Sequence, residues 1–316
     1  MRIAITGAFG YAGAHLTARL LARGDALSAV SIAPAAADLP AALARVPTRI
    51  ADVGDPRALV GAFEGCEVVV HAAALPAAPC ERLPSEALRV NARGTRAVLD
   101  EARWSGVRRV VFFSTAHVYG ELKGRIDESA PLDPRTPYAV SKAAGERECL
   151  EASRTGDLEV FVLRFSNGFG APLALSADCW SLAFPSFARS AAETGRIALK
   201  SAGTQPRDFL TISDMVAAVE CALAAPAPPP GEIVFNAGGG RSLTMREAAA
   251  MVARACEQLT GVPTPVDLPP GSEAAPEEPG LDYRSDRLAA LGWRPAGDLE
   301  AEVRATLDLL GVRSRA

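Results

Sequence analysis

The chain has 316 residues, 49% hydrophobic and 22% charged, with a net charge of -4. This is ordinary globular composition, long enough for one large domain or two closely joined lobes, and it lacks the basic footprint of a nucleic-acid binder. An anionic ligand therefore has to be met by a local Arg and not by a global field.

Six cysteines, at 66, 80, 149, 179, 221 and 256, form no C-x-x-C pair and no cluster with histidine. That pattern argues against a disulfide framework and a zinc site, so free thiols and no metal are expected. Met1-Arg2 leads straight into a predicted strand without a leader. No apolar run approaches the roughly 20 residues of a membrane span, so a cytoplasmic, membrane-free protein is expected.

In chain order, residues 2–6 read as a strand, 11–23 as a helix, 26–33 as a second strand and 48–51 as a short third. Residues 55–63 read as a helix capped by Asp55 with Pro56 in the first turn. A buried strand at 67–71 follows, then a long helix at 85–105 and another buried strand at 108–114. A helix at 136–153 and a strand at 159–165 complete an alternation that specifies an α/β fold, a doubly wound parallel (Rossmann) sheet.

After Ser166, Pro and Gly punctuate more heavily, helices follow one another, and a strand at 232–236 stands apart. Residues 226–230 read as a stiff Pro-rich connector and 263–279 as a long Pro-rich stretch. The expected division is a dinucleotide-binding domain at 1–165 with a return segment at 208–236. A smaller C-terminal substrate lobe at 166–207 and 237–316 packs over the carboxyl ends of the strands.

Between the first strand and first helix lies Thr6-Gly7-Ala8-Phe9-Gly10-Tyr11-Ala12-Gly13. Glycines there permit a tight turn and close backbone approach, and the helix amino terminus attracts pyrophosphate. Gly7, Phe9, Gly10, Tyr11 and Gly13 are therefore assigned to a dinucleotide. Asp52-Val53, after the third strand, offers either an acceptor for the adenine amino group or a turn cap. Ala72-Ala73-Ala74, after the fourth strand, is small enough to lie against a ribose, whereas His71 reads as a packing residue. The second strand ends Val30-Ser31-Ile32-Ala33-Pro34, without the acid that binds the ribose hydroxyls of NAD and without an Arg for a 2′-phosphate. NAD or NADP stays open.

Tyr138 and Lys142 stand at i and i+4 on a predicted helix, so they share one face. A phenol titrates near pH ~10, and a neighbouring ammonium and an oxidised nicotinamide both favour the phenolate. Ser114-Thr115-Ala116-His117-Val118-Tyr119-Gly120, at the end of a central strand, brings a hydroxyl to the same substrate oxygen.

With these pieces, together with Asn91, residues 163–170, Arg207-Asp208-Phe209 and Leu291-Gly292-Trp293, the chain resembles the extended short-chain dehydrogenase/reductases of the nucleotide-sugar epimerase/dehydratase family. The resemblance spans nearly the whole chain. It implies that Tyr138 is the acid/base, that Lys142 lowers its pKa and holds the nicotinamide ribose, and that Thr115 hydrogen-bonds the reacting oxygen. It implies that Asn167 and Arg207 meet the diphosphate of a nucleotide-diphosphate sugar. Asn91 is placed on the cofactor side, as a kink or backbone-water residue. The resemblance also implies a homodimer through the helices at 85–105 and 136–153.

Family 4,6-dehydratases carry Asp-Glu directly after the catalytic Thr; Ala116 and His117 stand there instead, on the substrate side, which argues against dehydration. The Lys that some 4-epimerases place after His71 and the Asn often found within 179–187 are also missing. The expected function is an NAD(P)-dependent nucleotide-sugar 4-epimerase, with an NADPH-dependent reductase of a 4-keto-deoxysugar as the alternative. A non-sugar carbonyl reductase or a cofactor-sensing protein ranks below both.

Overall fold

A computed structural model describes residues 1–272 and 280–313. The chain runs β1 (Arg2–Thr6), α1 (Tyr11–Ala22), β2 (Ala26–Ser31), β3 (Thr48–Ile50), α2 (Pro56–Leu59) and β4 (Val68–His71). It continues through α3 (Ala77–Arg82), α4 (Pro84–Leu88), a π-helical turn (Arg89–Arg93) and α5 (Gly94–Trp104). Then come β5 (Arg109–Thr115), β6 (Gly124–Ile126), α6 (Pro137–Arg154) and β7 (Glu159–Phe165). The second half contains β8 (Asn167–Phe169), α7 (Ala183–Thr194), β9 (Ile197–Ala198), β10 (Pro206–Thr211), α8 (Ile212–Ala224) and β11 (Val234–Ala237). Last are β12 (Ser242–Thr244), α9 (Met245–Thr260), β13 (Val266–Asp267), β14 (Leu281–Tyr283), α10 (Asp286–Ala290) and α11 (Leu299–Leu309).

Seven parallel strands form the main sheet in the order β11-β7-β5-β4-β1-β2-β3. Alternate residues of each strand face opposite layers. From β1, Ile3 and Ile5 pack with Leu16 and Leu20 of α1 and Val219 of α8. Ala4 points the other way, to the layer of Val98 and Leu99 of α5 and Cys149 of α6. Strand order reverses between β1 and β4, which opens a crevice at their carboxyl ends, where such sheets bind ligands. A third apolar cluster joins α7, α9 and α11 to Phe169 and Phe209 of a small sheet ordered β12-β10-β8.

Several sequence expectations change. The helix expected at 55–63 is the single turn α2, because Val60 leaves the helical region with ψ 121° and Gly61 takes a positive φ of 72°. Asp55 does cap it, accepting from the Arg57 amide. The helix expected at 85–105 is interrupted by the π turn at Arg89–Arg93. At that turn Gly145 of α6 comes so close that a Cβ on it would lie 2.6 Å from the Asn91 carbonyl oxygen, and the Thr95 hydroxyl donates to the same carbonyl.

The strand expected to stand apart at 232–236 joins the main sheet as β11, in parallel register with β7. Among the described residues beyond Ser166 seven short strands interleave with the helices, each of two to six residues and too brief for a readable period. Strand β10 pairs with β8 and β12, while its Leu210 packs into the main-sheet core ahead of α8. Leu288 and Trp293 also pack into the main-sheet core. Of the Pro-rich stretch at 263–279, residues 273–279 lie outside the described residues.

The edge strand β11 is held by an aromatic contact. Phe161 of β7, fully buried, stacks on Phe235 at 5.5 Å, with the Arg109 guanidinium 4.9 Å over the Phe161 ring. Phe161→Ala should cost about 3–5 kcal/mol of unfolding free energy in a urea titration. A loss under about 1 kcal/mol would show that β11 is held by its ladder alone.

Candidate functional site

Gly7 ends β1 with φ +71°, and a Cβ on it would lie 2.7 Å from the Ala73 amide nitrogen. The strand ends of the switch point therefore touch through backbone. Thr6 knits them further: its hydroxyl accepts from the Ala73 amide at 3.2 Å and meets His71 Nδ1 at 2.7 Å. His71 also contacts the Thr95 hydroxyl through Nε2 at 3.1 Å, and burial holds its pKa down to about 3. It is a neutral structural ring.

Gly10 caps α1 without a side-chain hydrogen bond, and the first turn holds no acidic residue. A Cβ on Gly13 would strike the Gly7 carbonyl oxygen, so the helix start lies hard against the turn. Phe9 and Tyr11 pack partly against the core. The Tyr11 hydroxyl, far above its usual pKa through burial, donates to the Gly170 carbonyl at 2.6 Å.

At the expected adenine end, the Val53 side chain is core. Asp52 accepts from the Gly54 amide at 2.8 Å and from Arg89 at 2.8 Å. Arg89, which sequence reading passed over, is also paired with Glu86 at 2.8 Å. Asn91 is buried in the π turn. Its amide oxygen accepts from the Leu75 amide at 2.6 Å, and its Nδ2 donates to the Leu75 carbonyl and to Ser141. It ties the loop after β4 to α6.

Helix α6 starts with Thr136 accepting from the Ala139 amide and Pro137 in the first turn. This start sets Tyr138 and Lys142 facing the end of β5. The Thr115 side chain, at the end of β5, lies beside the Tyr138 phenol and acts on it. Burial first, and the nearby Cys80 second, push the phenol up to about 12 against the pull of the Thr115 side chain. Lys142 is not among the groups acting on it. The lysine is 2% exposed, its ammonium 4.1 Å over the Phe112 ring, and burial draws it down to about 8. Resting on a ring leaves its donors free for the hydroxyls of a ribose, and with the bare helix start at Gly10 this fits a nicotinamide dinucleotide.

Behind this pair lies a buried network that sequence reading missed. Glu146, one turn past Lys142, forms an ion pair with Arg164 of β7 at 2.6 Å, each side chain 6% exposed. Ser114, next to Thr115, donates to the same carboxylate. Arg164 donates to the Tyr119 hydroxyl at 2.7 Å, and Tyr119 and Tyr283 both donate to Asn236 Oδ1, at 2.8 and 2.9 Å. The available signal was the spacing: Tyr138, Lys142 and Glu146 repeat every four residues on one helix face.

On the other side of Thr115 the chain enters a cavity of about 610 Å³, lined among others by His117, Lys123, Thr204, Gln205 and Arg207. The His117 amide donates to the Thr115 hydroxyl at 3.2 Å, joining cavity and hydroxyl pair. His117 stands exposed on the cavity wall; crowding by the surrounding chain, then the Arg207 charge, lower its pKa and favour a neutral imidazole. Ala116 turns away: it is 2% exposed within an apolar cluster with Val118, Leu122 and Tyr283. Parallel pairing of β8 with β10 sets Asn167 opposite Phe209, two residues past Arg207, and Asn167 Nδ2 donates to the Asp208 carbonyl at 2.9 Å. Arg207 donates to the Pro206 carbonyl at 3.1 Å and forms no ion pair among the described residues.

A second bridge across the halves was also missed. Asp38, in the loop after β2, accepts from the Ser176 amide at 2.9 Å and from its hydroxyl at 2.5 Å. Among the described residues no helix is long and apolar enough to cross a membrane, and no cluster of three His, Cys, Asp or Glu is placed to hold a metal.

Comparison with known proteins bears on this geometry. A UDP-glucose 4-epimerase of Azospirillum brasilense is 30% identical over 327 residues, covering 97% of this chain and 91% of that one. A dTDP-glucose 4,6-dehydratase of Streptomyces niveus is 31% identical over 198 residues, covering 62% of this chain; the match spans only 54% of that protein's length. The UDP-glucose 4-epimerase of Thermus thermophilus, solved with NAD, superposes with a TM-score of 0.82 at 27% identity, covering 98% of this chain and 99% of that one. Solved relatives hold NAD in some cases and NADPH in others. The model of the NAD dependent epimerase/dehydratase family matches residues 3–238, and the chain belongs to that family.

Proposed function

We propose that the protein is a nicotinamide-dependent nucleotide-sugar 4-epimerase that works through a 4-keto intermediate. The observation that carries this reading is the placing of the Thr115 side chain against the Tyr138 phenol, with the Thr115 hydroxyl joined through the His117 amide to the cavity that Arg207 lines. Thr115 positions the sugar hydroxyl, Tyr138 takes its proton and later returns it, and Lys142 holds the ribose. The bound nicotinamide supplies the hydride acceptor and donor. Arg207 presents a planar fork to a diphosphate, with the Asn167 amide on the neighbouring strand. A non-sugar substrate would leave both idle.

The family includes dehydratases, and relatives of both kinds lie at similar distance. Against dehydration speak the two residues after Thr115: Ala116 has no proton to give and faces the apolar cluster, and His117 is not a carboxylic acid. The one carboxylate on the cavity wall, Glu121, is paired with Lys123 at 3.1 Å. Retention of the cofactor, which an epimerase needs, is supported by the Tyr11–Gly170 and Asp38–Ser176 bridges between the two halves of the chain. A reductase of a 4-keto-deoxysugar is favoured instead by the end of β2, where no acid repels a 2′-phosphate and the nearby Asp38 is engaged by Ser176. A homodimer through α5 and α6 belongs to the same proposal, supported by the exposed Trp104 and Val140 on those helices.

Denaturing the purified protein and identifying the released dinucleotide tests the choice. Stoichiometric NAD is expected; a protein that comes empty and binds NADPH instead would favour the reductase. Arg207→Ala should weaken nucleotide-sugar binding by about 1.5–3 kcal/mol, read by calorimetry, with dinucleotide affinity unchanged. Equal affinity for the sugar nucleotide in both proteins would remove Arg207 from the diphosphate site.

A further inference from the structure

Glu146 lies behind the reacting groups, yet it stands to Lys142 as Lys142 stands to Tyr138, one helical turn along the same face. Burying a carboxylate is unfavourable unless it is paired and hydrogen-bonded. Glu146 has both: three donations from the Arg164 guanidinium, at 2.9, 3.1 and 2.6 Å, and one from Ser114. Ser114 immediately precedes Thr115 on β5, so the same carboxylate anchors the strand end that presents the Thr115 hydroxyl.

We propose, on the reading of the site given above, that Glu146 is a positioning residue. Clamped by Arg164 and Ser114, it keeps the Lys142 side chain an ammonium in a water-poor site and fixes the strand end carrying Thr115.

The surroundings of Lys142 leave Glu146 alone in the first of these roles. Its own helix contributes Tyr138, Glu146 and Cys149; α3 contributes Cys80, the end of β4 His71, and β7 Arg164 behind Glu146. Beneath it β5 offers the uncharged Phe112 ring. Burial pushes both thiols up and the imidazole down, so all three are neutral near neutral pH. Burial itself is the largest influence on Lys142 and disfavours its charge. Glu146 is the one carboxylate acting against it among the described residues. Arg164 neutralises that carboxylate in turn, which keeps it from capturing Lys142 in a direct ion pair and leaves the ammonium free to face the cleft.

The test follows turnover and dinucleotide affinity across pH in the full-length protein and in Glu146→Gln. Removing the anion should move the alkaline limb of turnover down by about one pH unit. Dinucleotide affinity should fall over the same interval, with KM for the nucleotide sugar unchanged below it. Glu146→Asp should restore the profile. An unshifted profile, even with a lowered melting temperature, would make Glu146 merely structural and overturn the proposal. If Glu146→Gln does not fold, the Glu146→Gln, Arg164→Gln double variant leaves no unpaired buried charge; because Arg164 lies behind Glu146 and its removal offsets part of the effect, a smaller downward shift is expected, and an unshifted profile would overturn the proposal. Dinucleotide affinity is read without any sugar, so an error in the substrate assignment would leave this result standing.

Discussion

Two cations and one anion share the interior beside the candidate centre: Lys142, Arg164 and Glu146, none more than 6% exposed in its side chain or as a residue. Taking charges out of water is unfavourable, and the fold can keep them only by supplying partners in fixed directions. Glu146 is the hub of that supply. Through Arg164, Ser114, Tyr119, Asn236 and Tyr283 it connects α6 with β5, β7, β11 and β14. Deleting one member of a buried pair typically costs about 3–5 kcal/mol. Against a total stability of about 5–15 kcal/mol, such a network allows little alternative packing. The positions of Thr115, Tyr138 and Lys142 follow from it, because each stands on an element that the network pins.

The same constraint links the two halves of the molecule. Asn236 belongs to the edge strand contributed from the second half of the chain, and Tyr283 to a two-stranded sheet with β6. Both hydroxyl–amide contacts end on one Asn236 oxygen beneath the Thr115 loop. The cavity wall carrying His117 is thus braced from below by the network and opposed by the wall carrying Arg207. A substrate bridging those walls meets groups whose relative positions are set before it arrives, which lowers the ordering cost of binding.

Much of this was readable in the chain, for reasons that differ from residue to residue. The parallel sheet announces itself through long apolar runs alternating with helices, and the glycines at 7, 10 and 13 through their place between a strand and a helix. Tyr138 and Lys142 are legible because helical periodicity alone puts them on one face. Asn167 and Arg207 are different: 40 residues separate them, and only the pairing of a three-residue with a six-residue strand sets Asn167 opposite Phe209, two residues from Arg207. Resemblance pointed to them where spacing did not. Glu146 and Arg164 escaped because a charge in a helix normally reads as solvated and a charge in an apolar strand as an exception; only their mutual contact explains both. The π turn at Asn91 depends on the close approach of Gly145 from another helix, which no local pattern encodes.

Hydride shuttling at one sugar carbon, with Tyr138 moving the hydroxyl proton, is the claim on which the functional account turns. The most direct measurement follows deuterium placed at C4 of a nucleotide sugar through a single turnover, in the wild type and in Tyr138→Phe. The account predicts that the wild type forms the 4-epimer with the label still at C4, and that the variant binds dinucleotide but forms no product. Loss of the label to solvent, or label-retaining epimerisation by Tyr138→Phe at a comparable rate, would contradict it.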